Sequence, residues 1–101
     1  MKASVPTVGV IGAGYWGKNL VRNFHRLGGL AVICDSDPDC LSRYEERYPE
    51  VPKRSAHSDV LRDPTVQAVA IATPAETHYV LARETLLAGK DAFIEKPLCL
   101  E

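Results

Sequence analysis

The turn Gly12-Ala13-Gly14-Tyr15-Trp16-Gly17 constrains this chain more than any other stretch of it. The apolar run Thr7-Val8-Gly9-Val10-Ile11 leads into the turn, and a helical pattern leads out. G-x-G-x-x-G is a weak signal alone. It becomes informative when a strand feeds it, a helix leaves it and an acidic residue closes the next strand. That acid is Asp35, which ends the run Leu30-Ala31-Val32-Ile33-Cys34, close to the roughly 20-residue interval the pattern calls for. Gly12 then permits the tight strand-to-helix turn, Gly14 lets the backbone approach a pyrophosphate, and Gly17 lets the helix pack against the strand. The phosphates would sit on unpaired N–H groups at the positive end of the helix dipole. A glycine-rich connector needs none of this context, so the turn reads as a dinucleotide site.

The remaining elements alternate between strand and helix. Trp16, Leu20, Val21, Phe24 and Leu27 recur at helical spacing until Gly28-Gly29 stops them. A second helix is expected from Pro38 to Tyr48, capped by Asp37 and ended by Pro49. Residues 50–57 have room for a short third strand. Ser58-Asp59-Val60-Leu61 suggests a capped helical turn before Pro64. A fourth strand, Val66 to Ala72, breaks at Thr73-Pro74. The following helix runs to Leu87 with Val80, Leu81, Leu86 and Leu87 towards the sheet, and Ala92-Phe93-Ile94 forms a fifth strand. This order predicts an α/β fold, a doubly wound parallel sheet of Rossmann type with strand order 3-2-1-4-5 and right-handed crossovers.

Bulk composition narrows the partners. A net charge of −1, from 12 basic and 13 acidic residues, supplies no field to gather nucleic acid or an anionic membrane. No apolar run approaches the roughly 20 residues that span a bilayer, and Met1-Lys2-Ala3-Ser4-Val5-Pro6 lacks the core of a signal peptide. Three cysteines, Cys34, Cys40 and Cys99, form no C-x-x-C pair and fit reduced thiols in a cytoplasmic protein. His25 and His57 have no companion at metal-ligand spacing and read as surface and loop residues.

Ligands in such sheets lie beyond the carboxyl ends of the strands, at the switch point between strands one and four. Gly12 to Gly17, Asp35, Thr73-Pro74 and Glu95-Lys96 all fall there. A carboxylate at Asp35 would accept from the ribose hydroxyls and repel a 2′-phosphate, which favours NAD over NADP. Asp35 could instead cap the next helix, although Asp37 can fill that role. Lys96 is the ionisable side chain in this set suited to acid–base work on an alcohol, since like charge beside a nicotinamide ring lowers an ammonium pKa. Spacing alone serves a structural lysine paired with Glu95 equally well.

Gly-Ala-Gly-Tyr-Trp-Gly-Lys-Asn at 12–19, Ala-Thr-Pro at 72–74 with His78, Ala-Gly-Lys at 88–90 and Glu-Lys-Pro-Leu at 95–98 together resemble one family. It is that of glucose–fructose oxidoreductase, inositol dehydrogenase and the rhizopine-catabolism proteins, and the similarity covers nearly the whole chain. The resemblance implies that Lys96 assists proton transfer at a substrate hydroxyl while hydride passes to or from nicotinamide. It implies that Glu95 and Pro97 shape the nicotinamide pocket, and that Thr73, Pro74 and His78 lie along the cofactor with Tyr15 and Trp16 of the turn. The Tyr-Trp-Gly-Lys-Asn form of the turn is similar to members acting on nucleotide-linked sugars. The implied substrate is a sugar, nucleotide sugar or cyclitol; an open edge expected at strand five invites self-association, so a homo-oligomer is expected. Family members are usually about three times longer. Residues 1–101 are therefore expected to be the N-terminal part of the dinucleotide-binding domain, incomplete at its C-terminal edge, with the substrate domain absent.

Overall fold

The computed structural model describes residues 7–14 and 17–94. β1 (Val8–Ile11) leads through the glycine turn to α1 (Lys18–Arg26), followed by β2 (Leu30–Cys34), α2 (Pro38–Arg47) and the two-residue β3 (Lys53–Arg54). The second half runs α3 (His57–Leu61), β4 (Ala68–Ile71), α4 (Ala75–Leu87) and β5 (Asp91–Ile94). The five strands form one sheet in the order β3-β2-β1-β4-β5, with every neighbouring pair parallel. That is the predicted topology.

Side chains alternate across the central strands and sort the helices onto two faces. Val8 and Val10 of β1, Ile33 of β2 and Ala68 and Ala70 of β4 pack with Val21 of α1 and Cys40 of α2. Ile11, Val32, Cys34, Val69 and Ile71 point the other way, towards Val60 of α3 and Leu81 of α4. Every residue of β1 and β4 is buried, as strands covered on both faces must be. Each Val or Ile so buried contributes about 1.5–3 kcal/mol relative to exposure. This double layer holds the strand ends, and hence the loops beyond them, in fixed register.

Several local expectations need correction. Leu27 is the C-cap of α1 and is exposed, because α1 ends at Arg26 and the chain turns at Gly28, whose φ is 78°. In α4 only Leu81 of the four proposed residues is buried; Val80, Leu86 and Leu87 are exposed. At about 100° per residue, the residue that shares Leu81's face is Thr85. Thr85 is fully buried, with its hydroxyl donating to the Leu81 carbonyl at 2.7 Å. The α3 turn begins at His57 after Ala56, with no side-chain cap, so Ser58 does not cap it. The elements α2, β4 and β5 differ from expectation by one or two residues at their ends. Cys99 lies outside the described residues.

Candidate functional site

The carboxyl ends of β1, β2 and β4 open into one cleft of about 590 Å³, walled by Gly12, Gly14, Asp35, Ala72, Thr73 and Pro74. Its position follows from the sheet order, because β1 sends its helix to one face and its neighbour β4 sends α4 to the other. Gly12 NH donates to the Cys34 carbonyl at 2.9 Å and Ala72 NH to the Ile11 carbonyl at 2.9 Å, which extends the ladder to the rim of the cleft.

The three glycines of the turn have different local reasons. Gly12 has φ 86°, and a Cβ there would lie 2.8 Å from the Thr73 backbone nitrogen. A Cβ on Gly17 would lie 2.3 Å from the Gly12 carbonyl oxygen and 2.8 Å from Ala13 Cα. Both positions are closed by the protein's own backbone. Gly14 is different: among the described residues, a Cβ there would meet only Asp35 Oδ2, at an ordinary 3.8 Å. Protein packing therefore does not require glycine at 14. The space left by its missing side chain opens between the turn and the carboxylate, room that suits a ligand's approach to the backbone. Tyr44 of α2 holds the turn in place by donating its hydroxyl to the Ala13 carbonyl at 2.6 Å. Nothing caps the N-terminus of α1 with a side chain, and no acid stands in its first turn, so the positive end of its dipole is unopposed locally.

Asp35 divides its two oxygens. Oδ1 accepts from Asp37 NH at 2.8 Å, while Oδ2 faces Gly14. Asp37 caps α2, accepting from Asp39 NH at 3.0 Å. The helix cap thus belongs to Asp37, and Asp35 keeps one oxygen towards the cleft. Beside it, burial and then the Asp35 charge push the Cys34 thiol up to about 11 from 9.0. Cys34 therefore lines the cleft without serving as a nucleophile at neutral pH.

Of the remaining residues singled out from sequence, Thr73 and Pro74 are in the cleft wall, but His78 is not. His78 Nε2 donates to the Thr73 carbonyl at 2.6 Å, so it props the loop from behind. Gly17 is buried at the start of α1, away from the cleft. Tyr15, Trp16, Glu95, Lys96 and Pro97 lie outside the described residues. The structure adds wall residues that sequence reasoning passed over: Ser36, Ser55, His57, Thr77 and Val80. Thr77 donates to the Pro74 carbonyl at 2.8 Å, and His57 Nε2 lies 3.0 Å from Glu84 Oε1, tying α3 to α4. The one available signal was register: Thr77, Val80 and Leu81 recur at i, i+3 and i+4 after the loop. Among the described residues, no group of three or more His, Cys, Asp or Glu could hold a metal ion. No described helix is long and apolar enough to cross a membrane.

The family described as "Oxidoreductase family, NAD-binding Rossmann fold" matches residues 7–101. A curated relative, "Glycosyl hydrolase family 109 protein 2" of Shewanella sp. strain ANA-3, is 37% identical over 102 aligned residues, covering 90% of this chain and 22% of its own. The WlbA dehydrogenase of Bordetella pertussis, solved in complex with NADH and UDP-GlcNAcA, superposes with a TM-score of 0.83 at 30% identity over 93% of this chain and 29% of its own. Biliverdin reductase of Synechocystis sp. PCC 6803, solved with biliverdin and NADP+, gives 0.81 at 25% identity over 93% of this chain and 30% of its own. The chain thus spans between a fifth and a third of the length of these proteins.

Proposed function

We propose, from the premise that this chain belongs to the oxidoreductase family with an NAD-binding Rossmann fold, that its cleft holds NAD in preference to NADP. The observation that carries this reading is Asp35 Oδ2, left without a partner in the α2 cap and facing the open space at Gly14. A carboxylate in that place accepts two ribose hydroxyls well and opposes a 2′-phosphate. The unopposed N-terminus of α1 suits the pyrophosphate. The apolar wall of Ile11, Pro74, Val80 and Leu81 suits an aromatic base and accounts for an exposed valine on α4. When bound, NAD supplies the hydride acceptor, and the chain's residues orient it.

The reaction we propose is hydride transfer at a hydroxyl of a sugar, nucleotide sugar or cyclitol, with Lys96 moving the proton at that oxygen. Glu95 and Pro97 would border the nicotinamide, with Tyr15 and Trp16 along the cofactor. Support for a sugar-like substrate comes from the dehydrogenase solved with UDP-GlcNAcA. A second reading is favoured by the relative named as a glycosyl hydrolase. Removal of hydride from a ring hydroxyl carbon would acidify the adjacent C–H; elimination of the glycosidic oxygen, addition of water across the double bond so formed and return of the hydride would then give net hydrolysis with no net change in the cofactor. The two readings differ in whether NADH accumulates with product. The exposed Phe93 and Ile94 of edge strand β5 also support self-association, which sedimentation over a concentration series tests.

Calorimetric titration of the chain with NAD and then NADP tests the cofactor reading. Binding of NAD between micromolar and millimolar, about −8 to −4 kcal/mol, is the expected result. Tighter binding of NADP would remove the Asp35 assignment. A folded sample that binds neither would leave the cleft without its proposed ligand.

A further inference from the structure

A second depression lies on the other side of the glycine turn, between α1 and α2. It encloses about 560 Å³, shares Ala13 and Gly14 with the turn, and is walled by Lys18 and Arg22 of α1 and by Arg43, Tyr44, Arg47 and Tyr48 around α2. Four cations thus line one groove in a chain whose net charge is −1, and among the described residues no carboxylate is in the wall. Two cations outside the groove are ion-paired, Lys53 with Glu45 at 3.0 Å and Arg62 with Asp59 at 3.0 Å. Arg22, Arg43 and Arg47 make no ion pair among the described residues. Two helices bring these guanidinium groups to one groove while the carboxylates of α2 lie outside its wall, an arrangement that suits an anion.

The groove has a floor as well as a charge. Tyr44 and Tyr48 stack with ring centroids 6.1 Å apart, and Tyr44's hydroxyl is committed to Ala13. Gly14 lines both this groove and the cofactor cleft. The Cys40 thiol lies in the groove wall and feels the charge of Asp35, which lines the cleft. Arginine side chains lining one groove can offer paired N–H donors to a doubly charged tetrahedral anion.

We propose that the α1–α2 groove is a phosphomonoester site, with Arg43 and Arg47 as its main contacts and Asp35 as the partition between it and the cofactor cleft. The phosphate has two possible sources with the same chemistry: the 2′-phosphate of NADP reaching over the partition, or a phosphate carried by a separate small metabolite. The first rests on the proposal that a dinucleotide occupies the cleft, and there the Asp35 carboxylate opposes it; the second does not.

The test follows amide and arginine Nε–H signals of the isotope-labelled chain by NMR during titration with inorganic phosphate, alongside calorimetry with NAD and NADP. Saturable phosphate binding that shifts the groove residues is expected. The double variant Arg43→Gln/Arg47→Gln should weaken it at least about tenfold, the loss of roughly one charge-assisted hydrogen bond, and should change NAD affinity less than about twofold, within the error of independent sites. The second arm uses Asp35→Asn. A gain in NADP affinity that the arginine variants cancel assigns the site to the cofactor's own phosphate. Phosphate binding that needs the arginines while NADP ignores them assigns it to a separate metabolite. Phosphate and NADP binding both indifferent to Arg43 and Arg47 would overturn the site. Loss of NAD binding with phosphate binding intact would overturn the cofactor reading and leave the groove standing.

Discussion

A methyl group added at Gly14 and one added at Gly17 meet different surroundings. At Gly17 it would press on the Gly12 carbonyl oxygen at 2.3 Å and Ala13 Cα at 2.8 Å, both backbone atoms that cannot rotate away. Gly17→Ala should therefore cost about 3 kcal/mol or more, read as a lowered urea midpoint. Gly14→Ala should leave stability within about 0.5 kcal/mol, because nothing lies closer than 3.8 Å, yet weaken NAD at least about tenfold in the same calorimetry. A Gly14→Ala chain with full NAD affinity would show that the open space at 14 is not for the cofactor. The glycine spacing was legible in sequence, and so was the position of Asp35. The different duties of three identical residues were not, since they depend on Thr73 and Asp35, which arrive from distant strands. Lys96 belongs to this scale too: in the intact enzyme, Lys96→Ala should cut turnover about 10²–10⁴-fold, the usual worth of a general acid–base group. NAD affinity should hardly change, and normal turnover would remove Lys96 from the mechanism.

Elements are where periodicity misled most. α4 looks like a helix with four apolar residues facing the sheet, but its buried stripe contains Thr85, whose hydroxyl is satisfied within the helix by Leu81. Apolar counting overlooks a threonine that brings its own acceptor. The exposed Val80 makes sense only once the cleft it lines is known. Ala88-Gly89-Lys90 gains a local reason as well. α4 ends as Gly89 takes φ 81°, and Lys90 then turns inward, 9% exposed. Its ammonium donates to the Asp63 carbonyl at 2.8 Å and the Val66 carbonyl at 2.7 Å. That clamp joins the turn before β4 to the strand after α4. Lys90→Met keeps the stem but removes both bonds, and should destabilise the chain by about 2–4 kcal/mol in urea unfolding. A loss below about 1 kcal/mol, the worth of one ordinary hydrogen bond, would show that the clamp is incidental.

At the scale of the whole molecule, the buried thiols set the alkaline limit. Burial, with the Asp35 charge second, raises Cys34 and Cys40 from 9.0 to about 11, and burial raises Tyr44 from 10.0 to about 12. The folded state thus keeps protons that the unfolded chain gives up. Stability from these groups is complete below pH 9 and drains away as pH rises through the folded values. The urea midpoint should stay level from pH 7 to about 9 and then fall towards pH 12. Cys40→Ala should make that fall shallower. An equally steep fall in the variant would place the cause elsewhere.

Sequence alone determined the parallel five-stranded order, the glycine turn, the Asp37 cap and the switch point, because these rest on local spacing, turn chemistry and the handedness of crossovers. Only the tertiary structure decided which of Asp35 and Asp37 turns an oxygen to the cleft, which face of α4 is buried, and that four cations of two helices share one groove. Those outcomes depend on how separate elements meet in space, and no window of neighbouring residues contains that information.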